Sequence, residues 1–107
     1  MYSALSDTRR IRVRGQVQGV GFRPFIWQLA RARGLRGDVR NDAEGVLIHV
    51  IGPDLDGFEA AIAAEAPPLA RVDAIQSEAF RFDRPPDGFQ ISGSGARGAD
   101  TRVTPDA

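Results

Sequence analysis

Between Ile11 and Gly34 the chain changes its hydrophobic period once, and it does so through glycine. Over residues 11–17 (Ile-Arg-Val-Arg-Gly-Gln-Val) apolar and polar residues alternate. That puts Ile11, Val13 and Val17 on one face of a half-buried strand and Arg12, Arg14 and Gln16 on the other. From Pro24 onward Phe25, Ile26, Leu29 and Ala30 recur at helical spacing. Proline suits the first helical position, where its missing N–H has no partner to lose. Arg31 and Arg33 in the last turn, with Gly34 as the stop, agree with the helix dipole and C-cap preferences, so the helix is expected over 24–33.

The rest of the chain extends the pattern. Parity places a second strand at about 36–41, with Val39 and Asn41 on one side and Asp38 and Arg40 on the other. Asn41 to Gly45 has turn chemistry. Val46 to Ile51 is almost continuously apolar, as in a strand buried on both faces or in mid-sheet. Gly52-Pro53 ends it, Asp54 offers an N-cap, and Leu55, Phe58 and Ile62 give a second helix its stripe before Pro67-Pro68. A further strand fits 72–82 and a short one 89–91. The order β-α-β-β-α-β plus a short edge strand is that of an α+β, ferredoxin-like split βαβ sandwich, with two helices on one face of an antiparallel sheet. In such a sheet the second strand is expected beside the first. Residues 1–8 read as a flexible N-terminus, 9–92 as the domain, and the aperiodic, glycine-rich 93–107 as a linker.

Composition closes several classes of chemistry. The 107 residues are one domain's worth, and 42% hydrophobic with 26% charged residues is a globular balance. Without cysteine there is no disulfide scaffold, thiolate zinc site or cysteine nucleophile. All fourteen basic residues are arginine, and a chain without lysine has neither a Walker-type phosphate loop nor a Schiff base. Formal net charge is zero, yet residues 1–36 hold eight arginines against Asp7 alone, while 37–107 hold six arginines against thirteen acids. Either the halves neutralise each other across one folded domain, or the cationic front meets an anionic ligand. No run approaches the about 18 apolar residues of a membrane span, and the N-terminus lacks the apolar core of a secretory signal, so a cytoplasmic protein that does not engage membranes is expected.

The strand-to-helix segment Gln18-Gly19-Val20-Gly21-Phe22-Arg23 carries the chemistry. Glycines let successive N–H groups converge, a helix start adds open donors and partial positive charge, and the planar fork of Arg23 matches phosphate oxygens. Glycine in such a turn also serves steric needs, so the residues alone admit both readings. The dinucleotide fingerprint is excluded: Pro24 stands near the place of its third glycine, and no parallel-sheet unit follows.

The run Val17-Gln18-Gly19-Val20-Gly21-Phe22-Arg23, followed by Val39-Arg40-Asn41, resembles the signature of the acylphosphatase family, small ferredoxin-like hydrolases of acyl phosphates. The resemblance spans roughly residues 8–92. It implies catalytic roles for Arg23 and Asn41, with Asn41 positioning the attacking water, and a phosphate cradle made by Gln18, Gly19, Val20, Gly21, Phe22 and Arg23. Pro24-Phe25, Pro67 to Val72 and Thr101 to Ala107 further resemble the N-terminal acylphosphatase-like domain of the carbamoyltransferases that mature nickel-iron hydrogenases. That likeness implies carbamoyl phosphate as substrate and no cofactor in this domain, with zinc and ATP used only by downstream domains. It also implies two partners, those downstream domains and a maturation protein carrying an acceptor cysteine, with residues 93–107 leading toward a zinc-finger region. Stand-alone members differ at Pro24-Phe25-Ile26 and at Asp42, where a hydroxyl residue is common, which implies weak turnover by the isolated domain.

Other residues take plainer readings. His49 lies among aliphatics and reads as structural, Trp27 as helix packing or a contact to a neighbouring domain, and Asp42 and Glu44 as turn residues. Arg12, Arg14, Arg31 and Arg33 read as solvated faces. A noncatalytic phosphate- or ligand-sensing domain of the same fold is the alternative function. Nucleic-acid binding is not expected, because the central strands lack the aromatics of an RNA-binding sheet.

Overall fold

A computed structural model describes residues 7–92. The expected linker 93–107 and the first six residues of the expected flexible N-terminus lie outside the described residues. Asp7 and Thr8, expected in that N-terminal segment, instead open the first strand. The elements are β1 (Asp7–Gln16), α1 (Phe22–Ala32), β2 (Arg36–Asp42), β3 (Gly45–Gly52), α2 (Leu55–Glu65), β4 (Arg71–Ala79) and β5 (Phe89–Ile91). They form one five-stranded sheet in the order β4-β1-β3-β2-β5, covered on one face by the two helices. The α+β ferredoxin-like reading holds, with two corrections. β5 runs parallel to β2, so the sheet is mixed rather than wholly antiparallel. The second strand also does not neighbour the first: β3 pairs with both β1 and β2 and lies between them.

Local chemistry sets the helix ends. α1 starts at Phe22, two residues before the expected position, and Pro24 still falls in the first turn, where no intrahelical bond is lost. At the other end Gly34 takes φ +72°, its N–H donating to the Arg31 carbonyl at 3.1 Å while Leu35 N–H donates to Ala30 at 2.9 Å. This pair of bonds is a Schellman motif, and buried Leu35 seals it against the core. Asp54 caps α2 as expected, its carboxylate accepting from Gly57 N–H at 3.2 Å.

The core lies between sheet and helices. Ile11, Val13, Val39, Val46, Ile48 and Val50 meet Phe22, Ile26, Leu55, Phe58 and Ile62 there, all essentially inaccessible. β3 is therefore fully buried on one face only. On the outer face Leu47, His49 and Ile51 are half-buried. Part of that cover comes from an unexpected place: β4 stops at Ala79, and residues 80–88 lead across the outer face toward β5. Phe80 stacks on His49 at 4.5 Å, Arg10 lies over the Phe80 ring at 5.4 Å, and Gly37 N–H donates to Gly88 at 3.0 Å. His49 is structural, as expected, with Nδ1 3.3 Å from Asp38 Oδ1. Trp27 packs against the core with Arg31 stacked 4.7 Å above it. No helix of the described residues is long and apolar enough to cross a membrane.

Much of the charge imbalance along the sequence cancels in space. Arg9 bridges to Asp56 and Glu59 of α2, Arg10 to Glu78, Arg12 to Asp42 and Arg14 to Glu44. β1 is thus tied by charge to the later half of the chain. Arg12 and Arg14, expected as solvated, are ion-paired. Desolvation alone pushes the Asp42 carboxyl up, but the Arg12 hydrogen bond, the Glu44 N–H and the charges of Arg12 and Arg14 outweigh it and hold it below the ordinary carboxylate value.

Two stability outcomes follow. Truncating Ile26 to alanine empties a core position on α1 and is expected to cost about 2–5 kcal/mol, with an unchanged m-value in urea unfolding. Because the folded state depresses the Asp42 pKa, its ionic contribution is present above the unfolded value of about 4 and is lost as pH falls through the folded value. The stability gap between wild type and Asp42→Asn should therefore be widest near neutrality and narrow on acidification. A gap constant from pH 7 to pH 2 would contradict this assignment.

Candidate active site

The segment joining β1 to α1 is shaped by two left-handed glycines. Gly19 has φ +76° and Gly21, the N-cap of α1, φ +78°. A Cβ added to either would meet no atom within 4 Å. Glycine is thus required by backbone conformation, at about 1–2 kcal/mol per position for other residues, and not by crowding. Open space lies beside both glycines. α1 begins without a side-chain cap and without an acidic residue in its first turn. Its first N–H groups therefore face that space with partial positive charge and no competing carboxylate.

Arg23 stands in the first turn of α1 and is half-buried. Among the described residues it has no ion-pair partner, and its one hydrogen bond is a long one, Nη1 to the Ser92 carbonyl at 3.5 Å. β1's four arginines have carboxylates against them, whereas Arg23 keeps its charge available. A guanidinium is always protonated, so this is a permanent cation beside a donor-rich loop.

Asn41 lies at the far end of β2 on the same face as buried Val39. Its Oδ1 is buried and accepts no hydrogen bond. With β3 between β1 and β2, adjacent strands do not bring Asn41 to the loop; two tethers do. From the α1 side, Arg23 reaches Ser92, whose N–H donates to the Val39 carbonyl at 2.8 Å. From the β1 side, Gln18 Nε2 donates to the carbonyls of Asp42 at 2.7 Å and Gly45 at 2.9 Å. Residue 41 lies between these attachment points. Gln18 was expected in the phosphate cradle through its backbone; its side chain is spent on this clamp. Gly19, Val20, Gly21 and Phe22 supply the rest of the backbone, with the Phe22 side chain in the core and packed edge-on to Phe25 at 5.4 Å.

The clamp's charged half has a visible trace in the sequence. Arg12 and Arg14 are two apart on β1, as are Asp42 and Glu44 at the hairpin, and they pair in order. A depression of about 470 Å³ on the outer sheet face is lined by Arg10, Arg12 and Arg14, but each of these is neutralised by an acid. The loop beside α1 is therefore the better anion site. Backbone amides, one permanent cation and an unsatisfied amide oxygen can hold a tetrahedral anion and orient a water against it.

The sequence and the fold have counterparts among known proteins. A sequence model of the acylphosphatase family matches residues 9–91. The chain is 72% identical over 98 residues to the carbamoyltransferase HypF of Rhodobacter capsulatus, covering 92% of this chain and 13% of that protein. It is also 44% identical over 85 residues to an acylphosphatase of Caldivirga maquilingensis, covering 77% of this chain and 90% of that one. Among solved structures it is similar to full-length HypF in the phosphate- and nucleotide-bound form (TM-score 0.78, 35% identity, 83% of this chain and 12% of that chain). It is likewise similar to the acylphosphatase of Bacillus subtilis (TM-score 0.70, 34% identity, 79% of this chain and 97% of that one). The chain thus spans about an eighth of the carbamoyltransferases it resembles and most of the length of the small hydrolases. Fold, loop and sequence together make it a member of the acylphosphatase family.

Proposed function

We propose that this domain hydrolyses an acyl phosphate, with carbamoyl phosphate as its substrate, as the N-terminal part of a carbamoyltransferase serving nickel-iron hydrogenase maturation. The observation that carries the reading is the half-buried Arg23 at the head of α1, without an ion-pair partner among the described residues and next to a loop whose glycines take left-handed conformations. The phosphoryl group sits on the amides of residues 19–23 with the Arg23 guanidinium against its oxygens. Asn41 Oδ1, buried and without a hydrogen-bond partner among the described residues, accepts a hydrogen bond from the attacking water and aligns it with phosphorus. The water oxygen bonds to phosphorus, the phosphorus–oxygen bond to the acyl group breaks, and its electron pair leaves with the carboxylate or carbamate. The water's proton passes to a phosphoryl oxygen. Because the leaving group is already stable as an anion, positioning and charge stabilisation supply the catalysis.

High identity to a HypF protein supports the carbamoyl substrate. That a similar full-length HypF was solved in a phosphate- and nucleotide-bound form supports phosphate as a ligand of such proteins. In the larger enzyme the released carbamate would pass to downstream domains that use ATP and zinc, and then to the cysteine of a maturation partner.

Phosphate release from acetyl phosphate and carbamoyl phosphate tests the reading. Arg23→Ala is expected to lower turnover roughly a hundredfold to a thousandfold, about 3–4 kcal/mol, with unfolding in urea unchanged. Asn41→Ala should lower turnover while leaving phosphate affinity close to wild type. Equal release by wild type and Arg23→Ala would overturn the proposal. Phosphate binding at the loop without any turnover would instead favour the sensing domain.

A further inference from the structure

We propose that Asp42 is a positioning residue for the hydrolytic water, acting through Asn41. The inference rests on the acylphosphatase reading above and extends it to a residue outside the loop. Asn41 Oδ1 has no hydrogen bond of its own, so nothing bonded to that oxygen fixes where it points. Its aim is set by the backbone at the end of β2, and that backbone runs directly into a two-residue hairpin, Ala43-Glu44, between paired Asp42 and Gly45. Two-residue hairpins normally use turns with positive φ, which match the strand twist. Here neither Ala43 nor Glu44 has positive φ. The turn is held by side chains instead.

Asp42 is the centre of that arrangement. Its Oδ1 accepts from Glu44 N–H at 2.9 Å, closing the turn, and also takes the Arg12 guanidinium reaching across from β1. Arg14 Nη2 holds Glu44 at 3.0 Å, and Gln18 holds the Asp42 and Gly45 carbonyls. The charged groups facing Asp42 are thus Arg12 and Arg14 from β1 and Glu44 in the turn; Arg40, two residues back on β2, leans toward Asp38 at 3.7 Å. Asp42 joins β1 and the turn through its carboxylate and the loop through its main-chain carbonyl, one residue beyond Asn41. Among the described residues the loop meets these groups through the Gln18 side chain, and the amides of residues 19–23 bond to none of them. Loss of the Asp42 charge should therefore misplace the water and leave the phosphate where it is.

The experiment compares wild type, Asp42→Asn, Asp42→Ala, Asn41→Ala and the double variant Asp42→Asn/Asn41→Ala. Each is assayed for kcat and KM with acetyl phosphate, for inhibition by inorganic phosphate, and for folding by urea unfolding. Asp42→Asn should lower kcat about tenfold, with KM and phosphate inhibition within about twofold of wild type. Asp42→Ala should lose at least as much. In the Asn41→Ala background the Asp42→Asn effect should vanish, because the group it aims is gone. A wild-type kcat in Asp42→Asn would overturn the proposal, as would a loss carried by KM or one retained in full in the double variant. If Asn41→Ala and Arg23→Ala themselves turn over like wild type, the acylphosphatase reading fails first. If they are impaired while Asp42→Asn is not, the positioning role alone fails.

Discussion

Arg23 carries a permanent charge in a half-buried position with no carboxylate among the described residues set against it, and the architecture around α1 is compatible with that charge only in a particular way. A partly desolvated cation needs either an acid or a ligand to offset the lost hydration. β1 satisfies its own arginines with acids drawn from the hairpin, α2 and β4. At the start of α1 none of the described residues does this, and the first turn carries no acidic residue. The positive end of the helix and the guanidinium therefore reinforce each other. The glycines at 19 and 21 keep the loop backbone in left-handed conformations that leave room above both. What would be a local electrostatic liability in a purely structural helix becomes, on the proposed reading, a receiving site for an anion.

The sheet gives this site its rigidity. β1 and β3 are central strands, and the loop leaves the end of β1 close to where the β2–β3 hairpin turns. The loop is consequently fastened to the most buried part of the fold. Asn41 is presented by a strand that is itself paired on both sides, with β3 and β5. Its unsatisfied oxygen has a desolvation cost of about 1–3 kcal/mol, which is tolerable in a domain where the surrounding strands over-determine its place.

Much of this was legible in the residues, and the exceptions share a cause. Asp54 and Gly34 announce helix ends because capping is a local matter of side-chain reach and positive φ. The alternation in β1 and the stripe of α1 mark their buried faces because burial follows period. Strand order is another matter. Nothing in the spacing of Asn41 says that β3 intervenes between β2 and β1, and the expectation of adjacency failed there. Likewise Phe80 and Phe82 continue the pattern of β4, but the strand ends as β1 runs out: Ala79 pairs with Arg9, and Phe80 N–H reaches only the Thr8 carbonyl. Their rings turn instead onto His49, which relieves β3 of part of its exposed face. Gln18 was expected at the site through the family resemblance alone, whereas the role of its side chain as a clamp depended on tertiary placement of the hairpin.

The most direct measurement is a titration of inorganic phosphate into isotopically labelled protein, followed by amide chemical shifts. The account predicts saturable shifts confined to the amides of residues 18–23 and to Asn41, abolished by Arg23→Ala, with the outer-face amides of Arg10, Arg12 and Arg14 unmoved. Shifts centred on that outer arginine row, or unchanged loop shifts in Arg23→Ala, would contradict it.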